Sequence, residues 1–207
     1  MRSLSRRFTL PRIIMAAAIW LAVVVAIDSF AMAQQPRPAA ATATRVMPQY
    51  DTNRNLMLPA DYKQWVLAGS SLGLSYAEGG PQGVGMQMFN TTLIEPTAYR
   101  HFAETGEFRE GTMLVLLLQG IGSNALPARR GQFATDVHGV EMAVKDSSRV
   151  PEGWAYYNFG GSMMGGLRTS SAPQPKASCF NCHDEHAGRD HVFTQFYQML
   201  SDAAPKK

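Results

Sequence analysis

Both cysteines of this 207-residue chain stand in one pentapeptide, CFNCH, running from Cys179 to His183 near the C-terminus. Three chemistries use a Cys-x-x-Cys pair: a redox disulfide, half of a zinc site, and covalent attachment of haem. Each demands a different surrounding fold. The choice among them constrains the rest of the chain more than any other feature does, and it depends first on the compartment.

The N-terminus speaks to the compartment. MRSLSRR is basic, IIMAAAIWLAVVVAI is an apolar run of h-region length, and AMA, Ala31 to Ala33, fits a small-x-small cleavage site. Residues 1–33 therefore read as a secretory signal peptide with cleavage near Ala33, which predicts an exported, periplasmic protein. An uncleaved membrane anchor is the alternative, but the apolar run is shorter than the ~20 residues a span needs. The leader carries Arg2, Arg6, Arg7 and Arg12 against Asp28, which accounts for the whole formal net charge of +3. The remainder is neutral, and nothing in it suggests a nucleic-acid surface.

Residues 34–57 open with QQPRPAAATATRVMPQ, a Pro/Ala/Thr-rich stretch without apolar periodicity, and predict a flexible tether. Residues 58–207 then suit a single domain. LPADYKQWVLAGSSLG predicts a helix, with Pro59 near its start, Tyr62, Trp65 and Val66 on one face, and Gly69 to stop it. Its GSSLG matches the hydrolase G-x-S-x-G elbow only formally, because that motif needs a strand before the serine and a helix after it. GVGMQMFNTTLI alternates as a strand would, and EPTAYRHFAETG has the proline and glycine of a helix start and stop. TMLVLLLQ is apolar on both faces, the mark of a central strand, while QFATDVHGVEMAVKD and WAYYNFG predict two further strands. A Gly/Ser/Pro loop, GGSMMGGLRTSSAPQPKA, leads to CFNCHDEHAGRDHVFTQFYQML, which reads as one helical tail with Phe193, Phe196 and Tyr197 on its packing face. The fold class expected is α+β: an antiparallel β-sheet with a few helices, ending in a C-terminal haem-attachment helix.

With that order in view, CFNCH can be judged. A thioredoxin-type pair follows the first strand of a βαβ unit, whereas this one follows a long loop close to the end. Zinc would need four ligands, which Cys179, Cys182, His186 and His191 could supply. Haem c needs Cys-x-x-C-H, and all three functional residues are present in order, behind an export signal. The reading that follows is one haem c, with thioethers to Cys179 and Cys182 and His183 as the proximal iron ligand. Small electron-transfer cytochromes take a methionine well downstream as the second axial ligand. Here Met199 is placed in the same helix as the motif, which keeps it from the opposite face. Upstream, Met86, Met88 and Met142 have core-filling explanations, and His101 and His138 read as ordinary helix and loop histidines. The expectation is an open, five-coordinate iron.

The blocks PADYKQWVLAGSSLG, IEPTAYRHFAETGEFREGTMLVLLL and VEMAVKDSSRVPEGWAYYNFG, closed by the haem segment, resemble the cytochrome P-460 family from about Leu58 to Leu200. The most specific pieces are Val144 to Ser147 with Gly153 to Tyr157, and the haem segment itself. The resemblance implies an antiparallel-sheet cytochrome, often a homodimer, with C-terminal haem attachment and an accessible distal site. Catalytic members are similar in oxidising hydroxylamine and in cross-linking a lysine to the haem edge, while the related cytochromes c′-beta bind gases such as nitric oxide. The lysine is expected on the strand after the F-x-x-G-T turn. That strand is MLVLLLQ, with Leu116 at the plausible equivalent position. Lys145, the only lysine between Tyr76 and Pro175, reads as an ion-pairing residue.

Two function classes follow. One is an enzyme in which substrate nitrogen meets ferric iron and a distal carboxylate or water takes protons. The other is a binding protein whose apolar distal wall, from Met86, Met88, Phe89 and Phe133, admits NO or CO. Glu141 and Asp136 are the acids whose orientation decides between them. A redox partner cytochrome, and a simple electron-transfer role, complete the expectations.

Overall fold

MLVLLLQ has no polar residue on either face until Gln119, and such a strand is stable only where neighbours cover both its sides. In the computed structural model, which describes residues 44–74, 87–124, 126–127, 130–163 and 165–206, it forms β4 (Met113–Ser123) at the centre of an antiparallel sheet. The order is β2-β3-β4-β5-β6, with β2 at Val66–Leu72, β3 at Phe89–Ile94, β5 at Gln132–Lys145 and β6 at Trp154–Asn158. A short strand β1 (Leu56–Met57) precedes these. After them, β7 (Gly160–Gly161) pairs β8 (Gly166–Leu167), and β9 (Ser170–Ser171) returns to β1.

Successive residues of a strand point to opposite faces, so the sheet separates two cores. One gathers Tyr62, Trp65, Leu93, Met113, Val115, Leu117, Met142 and Val144. The other gathers Ala68, Ile94, Phe102, Phe108, Leu114, Trp154, Tyr156, Val192 and Leu200, and lies beneath the C-terminal segment. Helix α1 (Pro96–Thr105) covers part of the second core as the sequence predicts. Glu95 caps it by accepting from Ala98 N at 2.7 Å, Pro96 opens it, and Gly106 closes it in the left-handed region at φ 76°.

Several expectations are corrected. The helix predicted from Pro59 to Gly69 is a single 3-10 turn, Tyr62–Gln64, followed by β2. Tyr62 and Trp65 are both buried because three residues make one turn of a 3-10 helix. Beyond them the short apolar run VLAG pairs with β3, Val66 opposite Ile94, and tertiary pairing overrides a weak helical pattern. GSSLG, Gly69 to Gly73, therefore forms the last part of β2 and the residue beyond it rather than a helix end.

The single C-terminal helix is also two helices. Helix α2 (Phe180–His186) ends at Ala187, a turn through Arg189–Val192 follows, and α3 (Gln198–Ala203) comes after a 3-10 turn at Thr194–Phe196. The break falls at Gly188, whose N–H donates to Gln195 Oε1 at 2.8 Å. The expected loop between Gly160 and Ala177 contains the short strands β7, β8 and β9. Of the strand expected over 84–94, Val84 to Met86 lie outside the described residues and the ladder starts at Phe89. The leader, and the tether as far as residue 43, also lie outside them. From Val46 onward the chain is packed: Val46 and Tyr50 rest against the first core, ahead of Leu58.

Candidate functional site

The register of the sheet builds one wall of a cavity. A row of facing residues crosses the five strands on a single face: Gly69, Thr92, Leu116, Glu141 and Asn158. Two residues along, the next row on that face is Val66, Ile94, Leu114, Ala143 and Tyr156. Between these rows and the C-terminal segment lies a cavity of about 380 Å³. Thr92, Leu114, Leu116, Glu141, Ala143, Tyr156 and Asn158 face it from the sheet, and Cys179, Cys182, His183, Val192, Phe193 and Tyr197 from the other side. The three residues that the sequence singled out thus come together at one cavity.

His183 is the most constrained of them. Its ring lies between Tyr156, 4.3 Å away centroid to centroid, and Phe193, 4.4 Å away. Nδ1 is 2.7 Å from the backbone carbonyl of His191. A carbonyl can only accept, so Nδ1 carries the proton and Nε2 keeps its lone pair. Burial lowers the His183 pKa, opposed by the bond to His191, which favours the neutral imidazole a metal ligand must be.

Cys179 and Cys182 are free thiols, both partly buried. Burial pushes the Cys179 thiol up, with Glu141 and Cys182 adding to the effect. Redox cysteines and zinc thiolates use the opposite shift. Among the described residues no cluster of three or more His, Cys, Asp or Glu side chains could hold a metal ion. His186 is 58% exposed and faces Glu185, while His191 Nδ1 faces Asp184 at 3.5 Å, so the four candidate zinc ligands do not converge. An apolar-walled cavity, two reduced thiols at its edge and a neutral imidazole with a free Nε2 do fit a haem.

Glu141 is the acid of the wall. It accepts from Asn158 Nδ2 at 3.1 Å, and burial raises its pKa from the ordinary 4.5, an effect that the Asn158 bond opposes. Asp136 is 70% exposed, lies 3.3 Å from His138 Nε2, and does not line the cavity. His138 sits on β5 rather than in a loop.

The candidate methionines that the structure describes direct their side chains elsewhere. Met142 alternates with Glu141 and Ala143, so its side chain enters the first core on the far face of the sheet. Met199 is 52% exposed on α3, a helix separate from that of the haem motif. Met86 lies outside the described residues, Met88 and Phe89 do not line the cavity, and Phe133 is 46% exposed beside Gly122. The expected apolar wall exists, but it is made by Leu114, Leu116 and Ala143.

Leu116 lines the cavity where a cross-linking lysine would be looked for. Lys145 shares the face of Glu141 and Ala143 but lies about 13 Å along the strand from Glu141, one row beyond Ala143 and Tyr156. There its Nζ meets Asp190 Oδ2 at 2.7 Å and the Phe108 carbonyl at 2.9 Å. Sequence reasoning missed Tyr156, Asn158, Thr92 and Tyr197 as wall residues. Alternation within WAYYN places Tyr156 and Asn158 on one face, and the register that puts Thr92 beside them is the signal that a single strand lacks.

The Cytochrome P460 family profile matches residues 59–194, from the first 3-10 turn through the whole of α2 and the turn behind it. No curated protein matches the chain. A match over most of the sequence, on a fold of the expected antiparallel kind and around a cavity suited to haem, is sufficient: the chain belongs to the cytochrome P460 family of haem cytochromes.

Proposed function

We propose that Cys179 and Cys182 attach one haem c through thioethers, that His183 Nε2 is its iron ligand, and that a small nitrogen species, hydroxylamine or NO, occupies the open side. The observation that carries this reading is the bond from His183 Nδ1 to the His191 carbonyl, which commits Nε2 to a cavity edged by both thiols. A haem held there by Cys179, Cys182 and His183 would supply a redox-active iron.

The wall decides which ligands are favoured. Leu114, Leu116 and Ala143 disfavour charged or strongly hydrated molecules, as a gas-binding wall would. Glu141 adds what such a wall lacks, a carboxyl whose pKa is raised toward neutrality and which can take a proton when ionised. Hydroxylamine carries N–H and O–H protons to give up; NO carries none. Glu141 with Asn158 therefore favours a ligand that is deprotonated on oxidation, while among the described residues no lysine lines the cavity wall, which counts against a haem cross-link. The basic and apolar leader supports export to the periplasm, where electrons would pass to a redox partner cytochrome.

The test is to add hydroxylamine to the ferric protein and follow haem reduction, with NO binding to the ferrous protein as the control. Glu141→Gln should slow the hydroxylamine reaction at least tenfold and leave NO binding within about twofold, on the scale of a lost general base. Equal loss of both would remove Glu141 from the chemistry. No reduction by hydroxylamine in the native protein would leave gas binding as the function.

A further inference from the structure

We propose that the turn Arg189–Val192 sets how strongly His183 donates to iron, and that Asp190 and Tyr156 are positioning residues acting on it in opposite directions. This rests on His183 being the iron ligand, as proposed above.

The turn is closed by backbone bonds in both directions, Val192 N to Arg189 O at 2.8 Å and Arg189 N to Val192 O at 3.3 Å. Its central residues, Asp190 and His191, both have positive φ, 45° and 58°. That is the pattern of a type I′ turn, which Asn-Gly fills most easily. Asp-His is held in it from outside. Lys145 Nζ reaches Asp190 Oδ2 at 2.7 Å, Trp154 Nε1 donates to Asp190 Oδ1 at 3.1 Å, and Arg189 Nη1 donates to the Gly106 carbonyl at 2.6 Å. Lys145 and Trp154 face each other across β5 and β6, so the sheet itself anchors the turn.

What the turn presents is the His191 carbonyl. It accepts from His183 Nδ1 at 2.7 Å and from the Tyr156 hydroxyl at 3.1 Å, which occupies both of its lone pairs. A bond from Nδ1–H to a good acceptor raises the basicity of Nε2. Asp190 keeps the carbonyl in place and so strengthens that bond. Tyr156 draws on the same carbonyl and weakens it.

Resonance Raman spectra of the ferrous holoprotein, read at the iron–histidine stretch, test this alongside the ferric/ferrous ratio at a fixed ambient potential. Asp190→Asn keeps a residue tolerant of the left-handed region and breaks the ion pair. It should lower the stretching frequency and raise the ferrous share about threefold, and Lys145→Met should repeat both signs. Tyr156→Phe keeps the ring against His183 and frees the carbonyl, so both shifts should reverse. Shifts of one sign in all three variants, or none in any, would overturn the inference while leaving His183 as ligand. A native protein without an iron–histidine band would instead bring down the ligand assignment and the inference with it.

Discussion

The backbone of Tyr197 lies directly over Gly69, so closely that a β-carbon at Gly69 would sit 2.9 Å from the Tyr197 Cα and 3.0 Å from the Phe196 carbonyl. This contact closes one end of the cavity, because Tyr197 faces it and its hydroxyl shares a hydrogen bond with Thr92 of the wall. Gly69→Ala should therefore press the C-terminal segment away from β2, since backbone cannot yield as a flexible side chain does. We expect a loss of about 1–3 kcal/mol in denaturant unfolding. Covalent haem should be retained, because the thiols are not touched. Unchanged stability would show that the segment does not depend on this contact.

Glu141 makes a prediction about stability as well as chemistry. Its folded-state pKa is raised above the ordinary 4.5 by burial. Below the ordinary value the carboxyl is protonated in both folded and unfolded chains and has no effect. As pH rises through the folded-state value, the fold must either ionise a partly buried group or hold a proton that the unfolded chain releases, and stability is lost. Glu141→Gln keeps a partner for Asn158 and removes that loss. The variant should melt higher than the native protein at pH 8, with the two converging near pH 4, as thermal unfolding at several pH values would show. A difference that does not change with pH would mean that Glu141 titrates normally in the fold.

Homodimerisation is expected from the family resemblance, and the edge of the sheet offers a place for it. Leu67 and Leu72 on β2 are 36% and 41% exposed, and among the described residues that strand pairs with β3 alone. An uncovered apolar edge strand is one that proteins commonly pair or shield. Light scattering of the mature protein should give twice the monomer mass, and Leu72→Lys should shift it toward one. A monomer at all micromolar concentrations would remove the dimer without bearing on the haem site.

How much of this was legible in the sequence depends on the range of the interaction involved. Helix α1 could be read because its signals are local: Glu95 and Pro96 at the start, Gly106 at the end. β4 could be read because a run apolar on both faces has few places to go. The stretch after Pro59 misled because Tyr62, Trp65 and Val66 satisfy a helical spacing, while pairing with β3, more than twenty residues away, decides the outcome. The same holds for the site. Cys179, Cys182 and His183 form a contiguous motif and needed no structure to be found. The orientation of Glu141 came from the pairing of β4, β5 and β6. The work of Asp190 came from a turn that no periodicity announces.

The coordination of the iron is the prediction on which the functional class turns. His183 is held neutral with Nε2 available, Met142 points through the sheet into the other core, and Met199 stands exposed on a separate helix. His191 also borders the cavity, but its ring lies 5.1 Å from that of Phe180 and its carbonyl accepts from His183 Nδ1, so it shares the side of the cavity that holds His183. The ferric protein should then be mainly high-spin, and the ferrous protein should bind CO without first releasing a protein ligand. Lys145 is committed to Asp190 and the Phe108 carbonyl, so the haem should show an ordinary c-type spectrum with no band shifted far to the red. Denaturing gels stained for haem peroxidase activity should keep their colour at the mature mass, and the double variant Cys179→Ser/Cys182→Ser should lose it, since either thioether alone would still hold the haem. His183→Ala, if matured, should keep the stain while changing the ferrous spectrum, because attachment and ligation use different atoms of the motif. A low-spin ferric spectrum that resists CO after reduction would reveal a sixth ligand from the chain and move the protein to electron transfer.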